Sequence, residues 1–88
     1  MQFEWDEEKA RTNLKKHGVS FESACEIFFD PLMLLRGADD PEEGTQVAIG
    51  ETLSERLLYV VHLVKREERI RIVSARAVTA HERREYEG

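Results

Sequence analysis

The stretch RLLYVVHLV, positions 56 to 64, is apolar on both of the faces to which alternate side chains point. A strand of this kind needs cover on both faces and a neighbour on each edge, so it belongs in the middle of a sheet. The charged tetrad KREE, residues 65 to 68, reads as a hairpin turn, and RIRIVSAR then runs back from residue 69 to 76. Strict alternation predicts Ile70, Ile72, Ser74 and Arg76 on one side of that returning strand, with Arg69, Arg71, Val73 and Ala75 on the other. Upstream, TQVAIG (residues 45 to 50) places Val47 and Ile49 on one face, and LMLLRG (32 to 37) reads as a further strand. The expectation is an antiparallel meander of about four strands.

The first third of the chain has helical punctuation. FEWD, residues 3 to 6, alternates as a short half-buried edge strand does, and Asp6 can cap a helix over residues 7 to 17. Glu7 and Glu8 fall in its first turn and Lys15, Lys16 and His17 in its last, which suits the helix dipole, and Gly18 is placed to end it. Its apolar stripe is thin, Ala10 and Leu14 alone. Ser20 caps a second helix whose Phe21, Ala24, Cys25 and Phe28 share one face, expected to be core, and which ends before Asp30 and Pro31. Near the C-terminus, Thr79 and Glu82 have the spacing of a capping box for a short closing helix. The segment ADDPEEG, residues 38 to 44, reads as an exposed acidic turn. The order of elements predicts an α+β domain, residues 1 to 88, with two N-terminal helices packed on the meander. So small a core gains from a partner subunit.

The formal net charge of −5 conceals a segregation: residues 1 to 55 carry 5 Lys or Arg against 13 Asp or Glu, and residues 56 to 88 carry 8 against 5. An acidic protein binds nucleic acid poorly in general, yet a local basic surface can hold a phosphate backbone. The same excess suits a salt-bridged, solvated face equally well. The single cysteine, Cys25, cannot form an internal disulfide and fits a reducing cytoplasm. Neither a signal peptide nor a membrane-length apolar run is present, so a soluble cytoplasmic protein is expected. There is no HExxH, no paired cysteine ligands, no glycine-rich phosphate loop and no GxSxG elbow, which leaves zinc hydrolysis, nucleotide-dependent transfer and serine hydrolysis without support. The scattered His17, His62 and His81 do not suggest a metal site, and no cofactor is expected.

What remains is cationic and proton-carrying. Arg76 leaves a strand just before a helix N-terminus, where a guanidinium can clamp a phosphate bidentately. Cleaving RNA without a metal needs a base for the 2′-hydroxyl proton, an acid for the departing 5′-oxygen and a cation for charge on phosphorus. Lys16, His17 and Tyr86 supply types suited to proton work or positioning, and Lys15, Arg83 and Arg84 suit backbone contacts. Glu82, His62 and His81 rank lower. The competing reading of ERREYE is a surface helix laced by ion pairs with Tyr86 docked on the core. His62, in the most apolar strand, reads more simply as a structural histidine, and the helix dipole accounts for His17 without any substrate.

These stretches also resemble one family. FEWDEEKARTNLKKHGVSFESACEIFFDP, residues 3 to 31, is similar to the opening of the BrnT type II toxins, with their F-x-W-D strand followed by N-L-x-K-H-G-V-x-F-x-x-A and D-P. VAIGET and the run RLLYVVHLVKREERIRIVSARAVTAHERREYEG are similar to its later strands and closing I-S-A-R-x-x-x-x-x-E-R-x-x-Y signature, here with Val73 at the isoleucine position. The resemblance implies a RelE-like toxin fold and ribosome-independent endoribonuclease activity that inhibits translation. It also implies neutralisation by a BrnA-type ribbon-helix-helix antitoxin in a hetero-oligomer that contacts operator DNA only through the antitoxin. The positions matching its motifs are Lys16, His17, Arg76, Glu82, Arg83 and Tyr86. The acidic loop RGADDPEEGTQ, residues 36 to 46, is the least family-like segment and is expected at a far rim or an antitoxin contact. A noncatalytic module that binds a DNA-binding partner within a repressor complex is the alternative, motivated by the acidic surface, thin first helix and small core.

Overall fold

A computed structural model describes residues 1–38 and 44–88. Five strands form one sheet in the order β1-β5-β4-β3-β2, where β1 is Gln2–Glu4, β2 Leu34–Gly37, β3 Thr45–Glu51, β4 Leu57–Val64 and β5 Arg69–Ala77. The apolar run is the central strand β4, as its composition requires. The antiparallel meander β2 to β5 follows the predicted order, but the sheet is mixed, because β1 joins the far edge parallel to β5. Three residues with no turn signal of their own do not reveal a partner some 67 positions away, as Glu4 and Arg71 are. Glu4 secures that edge by gathering Arg71 at 2.9 Å, Lys65 at 3.4 Å and Arg69 at 3.8 Å. Three cations of the basic C-terminal third are thus committed to a structural carboxylate, whose pKa is lowered chiefly by Arg71.

The helices are α1 (Glu7–His17), α2 (Phe21–Glu26) and α3 (Ala80–Glu87), with a 3-10 turn at Ile27–Phe29 continuing α2. Their caps are those the sequence predicts. Asp6 accepts from the amides of Glu8 and Lys9, Ser20 from Ser23, and Thr79 and Glu82 close the capping box. Gly18 takes a left-handed φ of 69° and its N–H donates to the Leu14 carbonyl, which ends α1 where a side chain would be strained. Among the described residues, no helix is long and apolar enough to cross a membrane. The predicted acidic turn falls largely on residues 39–43, outside the described residues.

α1 and α2 cover one sheet face. There Val19, Phe21, Ala24 and Ile27 meet Ala48, Leu58, Val60, Ile70, Ile72 and Ala75, with Phe3, Trp5 and Phe28 at the margin. Cys25 is only half-buried; its thiol, pushed up to about 11 by burial and then by Glu22, is not a nucleophile at neutral pH. His62 points into this core, 1% exposed and edge-on to Phe28 at 5.0 Å between ring centres, as a structural histidine. Gly50 is required for the close approach of β3 to the 3-10 turn, since a Cβ there would lie 2.9 Å from that of Ile27.

α1 differs from its expected stripe. Leu14 is exposed and the buried residue is Asn13. Asn13 Nδ2 donates to the carbonyls of Ala75 (2.8 Å) and Val19 (2.9 Å), and its Oδ1 accepts the Ala75 N–H at 3.1 Å. The last β1 residue pairs with Arg71, and the Asn13 amide takes over as a one-residue strand surrogate further along the same edge of β5. A polar residue thereby does what the thin apolar stripe cannot: it anchors α1 to the sheet.

Candidate active site

The opposite sheet face is built around Tyr59. The register of β4 and β5 is interrupted: His62 faces Ile72, but Val61 faces Ser74, so Val73 is an extra residue, a β-bulge. Beyond it the alternation is inverted. Ala75, expected beside Arg71, turns to the helix-covered core, and Arg76, expected on the side of Ile70 and Ile72, turns to the other face. Uninterrupted pairing would have set Tyr59 against Ala75; the bulge sets it against Arg76. The Arg76 guanidinium lies 3.8 Å above the Tyr59 ring centre, within cation–π range.

Val78, just ahead of α3, and Tyr86 within it close over this face, packing with Val47, Ile49, Leu57 and Tyr59. This second face is thus partly covered. Glu82, buried in the first turn of α3, receives both Arg76 amino groups in a bidentate pair at 2.8 and 2.9 Å. Arg76 also donates to its neighbour's carbonyl at Ala77, 3.0 Å away. The Arg76 pairing holds the Glu82 carboxyl down at about 2, so it is ionised at every physiological pH. Glu82 therefore has two tasks, since the same carboxylate accepts the Thr79 N–H of the capping box. Its ionisation and hydrogen bonds make it a support for Arg76, not a reservoir of protons.

Arg36 of β2 arrives from the other side. Its guanidinium lies 5.6 Å from the Tyr59 ring centre, and its nitrogens come within 4.0 Å of both Glu82 and Glu85. His81, exposed, approaches Glu85 at 3.6 Å. Tyr86 is tied down separately: its hydroxyl donates to Asp30 at 2.5 Å, and Asp30 also accepts the amides of Leu32 and Glu51. The Asp30 contact pushes the phenol up to about 12, so the hydroxyl stays protonated at neutral pH with its proton held on the Asp30 carboxylate.

Of the predicted site residues, the structure brings together Arg76, Glu82, Tyr86 and His81 around one helix. Lys15, Lys16 and His17 lie exposed at the end of α1, a helix whose Asn13 grips the backbone of Ala75, the residue before Arg76. Arg83 and Arg84 are exposed on α3, and His62 is in the core on the other side. Tyr59, Arg36, Glu85 and Asp30 are missed by sequence reasoning. The period-two position of Arg36, two residues after Leu34, could have placed it on the Val47 face; Tyr59 shares that face through its pairing with Ile49, but its meeting with Arg76 depends on the bulge, which leaves no local signal. Among the described residues, no group of three or more His, Cys, Asp or Glu could hold a metal ion.

A family model described as the ribonuclease toxin, BrnT, of type II toxin-antitoxin systems matches residues 5–82. That span includes Lys16, His17, Arg36, Tyr59, Arg76 and Glu82 and stops short of Tyr86. Among solved structures, the crystal structure of the Brucella abortus ribonuclease toxin BrnT is similar with a TM-score of 0.74 and 26% identity, over 90% of this chain and 97% of that one. No curated protein sequence matches significantly.

Proposed function

This chain belongs to the BrnT family of ribonuclease toxins of type II toxin–antitoxin systems, and we propose that it is a single-domain, metal-independent and ribosome-independent endoribonuclease built on the face that carries Arg76. As a member of such a system it acts on RNA and is matched by an antitoxin. In our reading the antitoxin is a BrnA-type ribbon-helix-helix protein, the hetero-oligomer reaches operator DNA through it alone, and the fold is RelE-like. The toxin works in the cytoplasm, where cleavage inhibits translation.

The observation that carries the reading is Arg76 itself, stacked on Tyr59 and braced by an ionised Glu82, with a third of its side chain exposed. A guanidinium held in a fixed orientation costs no reorganisation when charge builds on phosphorus. In the reaction the 2′-oxygen attacks the adjacent phosphorus as its proton passes to a base, and the bond to the 5′-oxygen breaks as that oxygen takes up a proton. The products are a 2′,3′-cyclic phosphate and a 5′-hydroxyl. Arg76 binds the phosphate and stabilises the transition state. Lys16 and His17 sit at the end of α1, on the helix that covers the opposite face; we assign them the proton transfers on their residue type, reached round the β5 edge that Asn13 clamps, and Tyr86 contributes by positioning through its bond to Asp30. Lys15, Arg83 and Arg84 hold flanking phosphates through the ionic attraction that any backbone offers.

Incubating purified protein with single-stranded RNA in excess chelator, and mapping the new ends, tests this. Cleavage that leaves cyclic phosphate ends is the expected result. Activity abolished by chelator and restored by a divalent ion overturns the mechanism.

A further inference from the structure

We infer that Arg36 is a second phosphate-contacting residue, the partner of Arg76 in a two-arginine clamp on one phosphodiester of the RNA. The inference rests on the reading of Arg76 given above and adds a residue that no motif of the chain indicates.

Arg36 and Arg76 come from opposite ends of the four-stranded meander, β2 and β5, and reach the same spot because both project onto the face centred on Tyr59. One oxygen organises them: Glu82 Oε2 is 2.9 Å from Arg76 Nη2 and 4.0 Å from Arg36 Nη2. Glu85 Oε2, one turn further along α3, is 4.0 Å from Arg36 Nε. Exposure separates the roles. The Arg76 and Arg36 side chains are 34% and 28% exposed, whereas that of Glu82 is 9% exposed. The carboxylate therefore supports the two guanidiniums from beneath, and both retain access to solvent.

Two guanidiniums converging on one oxyanion form an arrangement suited to the non-bridging oxygens of a phosphodiester, since each planar fork donates in a fixed direction. Among the described residues, Glu82 and Glu85 lie against Arg36 and Arg76, so the two guanidiniums are held in place without ligand. A phosphate that shares the guanidiniums finds them already oriented, with no long side chains left to order. Arg36 on β2 also bridges the sheet face to α3, so the clamp spans the full width of the candidate site. Glu82 is a positioning residue in this arrangement, acting through both arginines.

The test is binding of a 2′-O-methyl oligoribonucleotide, which lacks the attacking hydroxyl, measured across a range of KCl concentrations for wild type, R36A, R36K and R76A. Thermal melts check the fold of each. Each lost phosphate contact lowers the slope of log affinity against log salt by about 0.7 for single strands. R36A is expected to bind roughly tenfold more weakly at physiological salt, with its slope reduced by about that one contact. R36K is expected to recover the slope, because its charge remains, while cleavage of ordinary RNA stays below wild type, because the bidentate fork is gone. If R76A lowers the slope and R36A does not, the clamp is wrong and the Arg76 reading stands. Unchanged slopes in both variants overturn both.

Discussion

The two faces of the sheet use the same strands for opposite purposes. On the helix-covered face, Leu58, Val60, Ile70 and Ile72 meet Phe21, Ala24 and Ile27 with His62 as the one buried imidazole. On the other face, Tyr59 supports Arg76 and Arg36 while Glu82 and Glu85 balance them. The first face is dry and supplies stability through burial; the second keeps charged side chains partly exposed and supplies chemistry. Val73 at the bulge is what makes β5 serve both, by exchanging the directions in which Ala75 and Arg76 point. A small domain has little room for a separate catalytic layer, and one inserted residue provides an alternative to it.

Exchanging the residues after the bulge, Ala75→Arg together with Arg76→Ala, should produce the largest effect. The guanidinium would then be driven into the apolar core where Ala75 is fully buried, so no cooperative thermal transition is expected. A folded exchange variant with intact activity would show that the direction of Arg76 is incidental. Next, Phe21→Ala should cost about 3–5 kcal/mol in chemical denaturation, the range for emptying a buried aromatic site. Its cleavage rate per folded molecule should stay near wild type, because Phe21 belongs to the opposite face. Asn13→Ala removes the two hydrogen bonds of the strand surrogate and the one to Val19, and should cost about 2–3 kcal/mol. Asn13→Asp should not rescue it, since a carboxylate cannot donate to the carbonyls of Val19 and Ala75.

Acid sharpens the comparison more gently. Glu82 has a folded pKa of about 2, below the ordinary 4.5, so it contributes stability that is full above pH 4.5 and is lost as pH falls towards 2. His62 is also lowered, by burial, from 6.5; its contribution is full above that pH and declines as acid forces a proton into the core. Melting temperatures followed from pH 7 to 2 should therefore fall in two stages. His62→Leu should flatten the first and Glu82→Gln the second; variants that melt in parallel with wild type throughout would assign the acid sensitivity elsewhere.

What the sequence disclosed follows the range of the interactions. Caps at Asp6, Ser20, Thr79 and Glu82, the left-handed Gly18 and the apolar β4 are each specified within a few residues, and all were legible. The parallel pairing of β1 and the grip of Asn13 on Ala75 join the two ends of the chain, and no local pattern announces them. The candidate site divides in the same way. Arg76 and Glu82 lie six positions apart and were both visible, although their pairing and the face they occupy were not. Tyr59 and Arg36 enter the site only through strand register, and the register changes at a bulge that Val73, an ordinary strand residue, does not advertise.

The central claim is that chemistry resides on the Arg76 face, and the most direct measurement is the single-turnover rate of RNA cleavage by Arg76→Ala beside its thermal melt. The account expects the rate to fall by about 10²–10³-fold, the usual loss for one preorganised donor to a transition-state anion, while a cooperative melt is retained. An Arg76→Ala protein that melts cooperatively and cleaves RNA at the wild-type rate would contradict it.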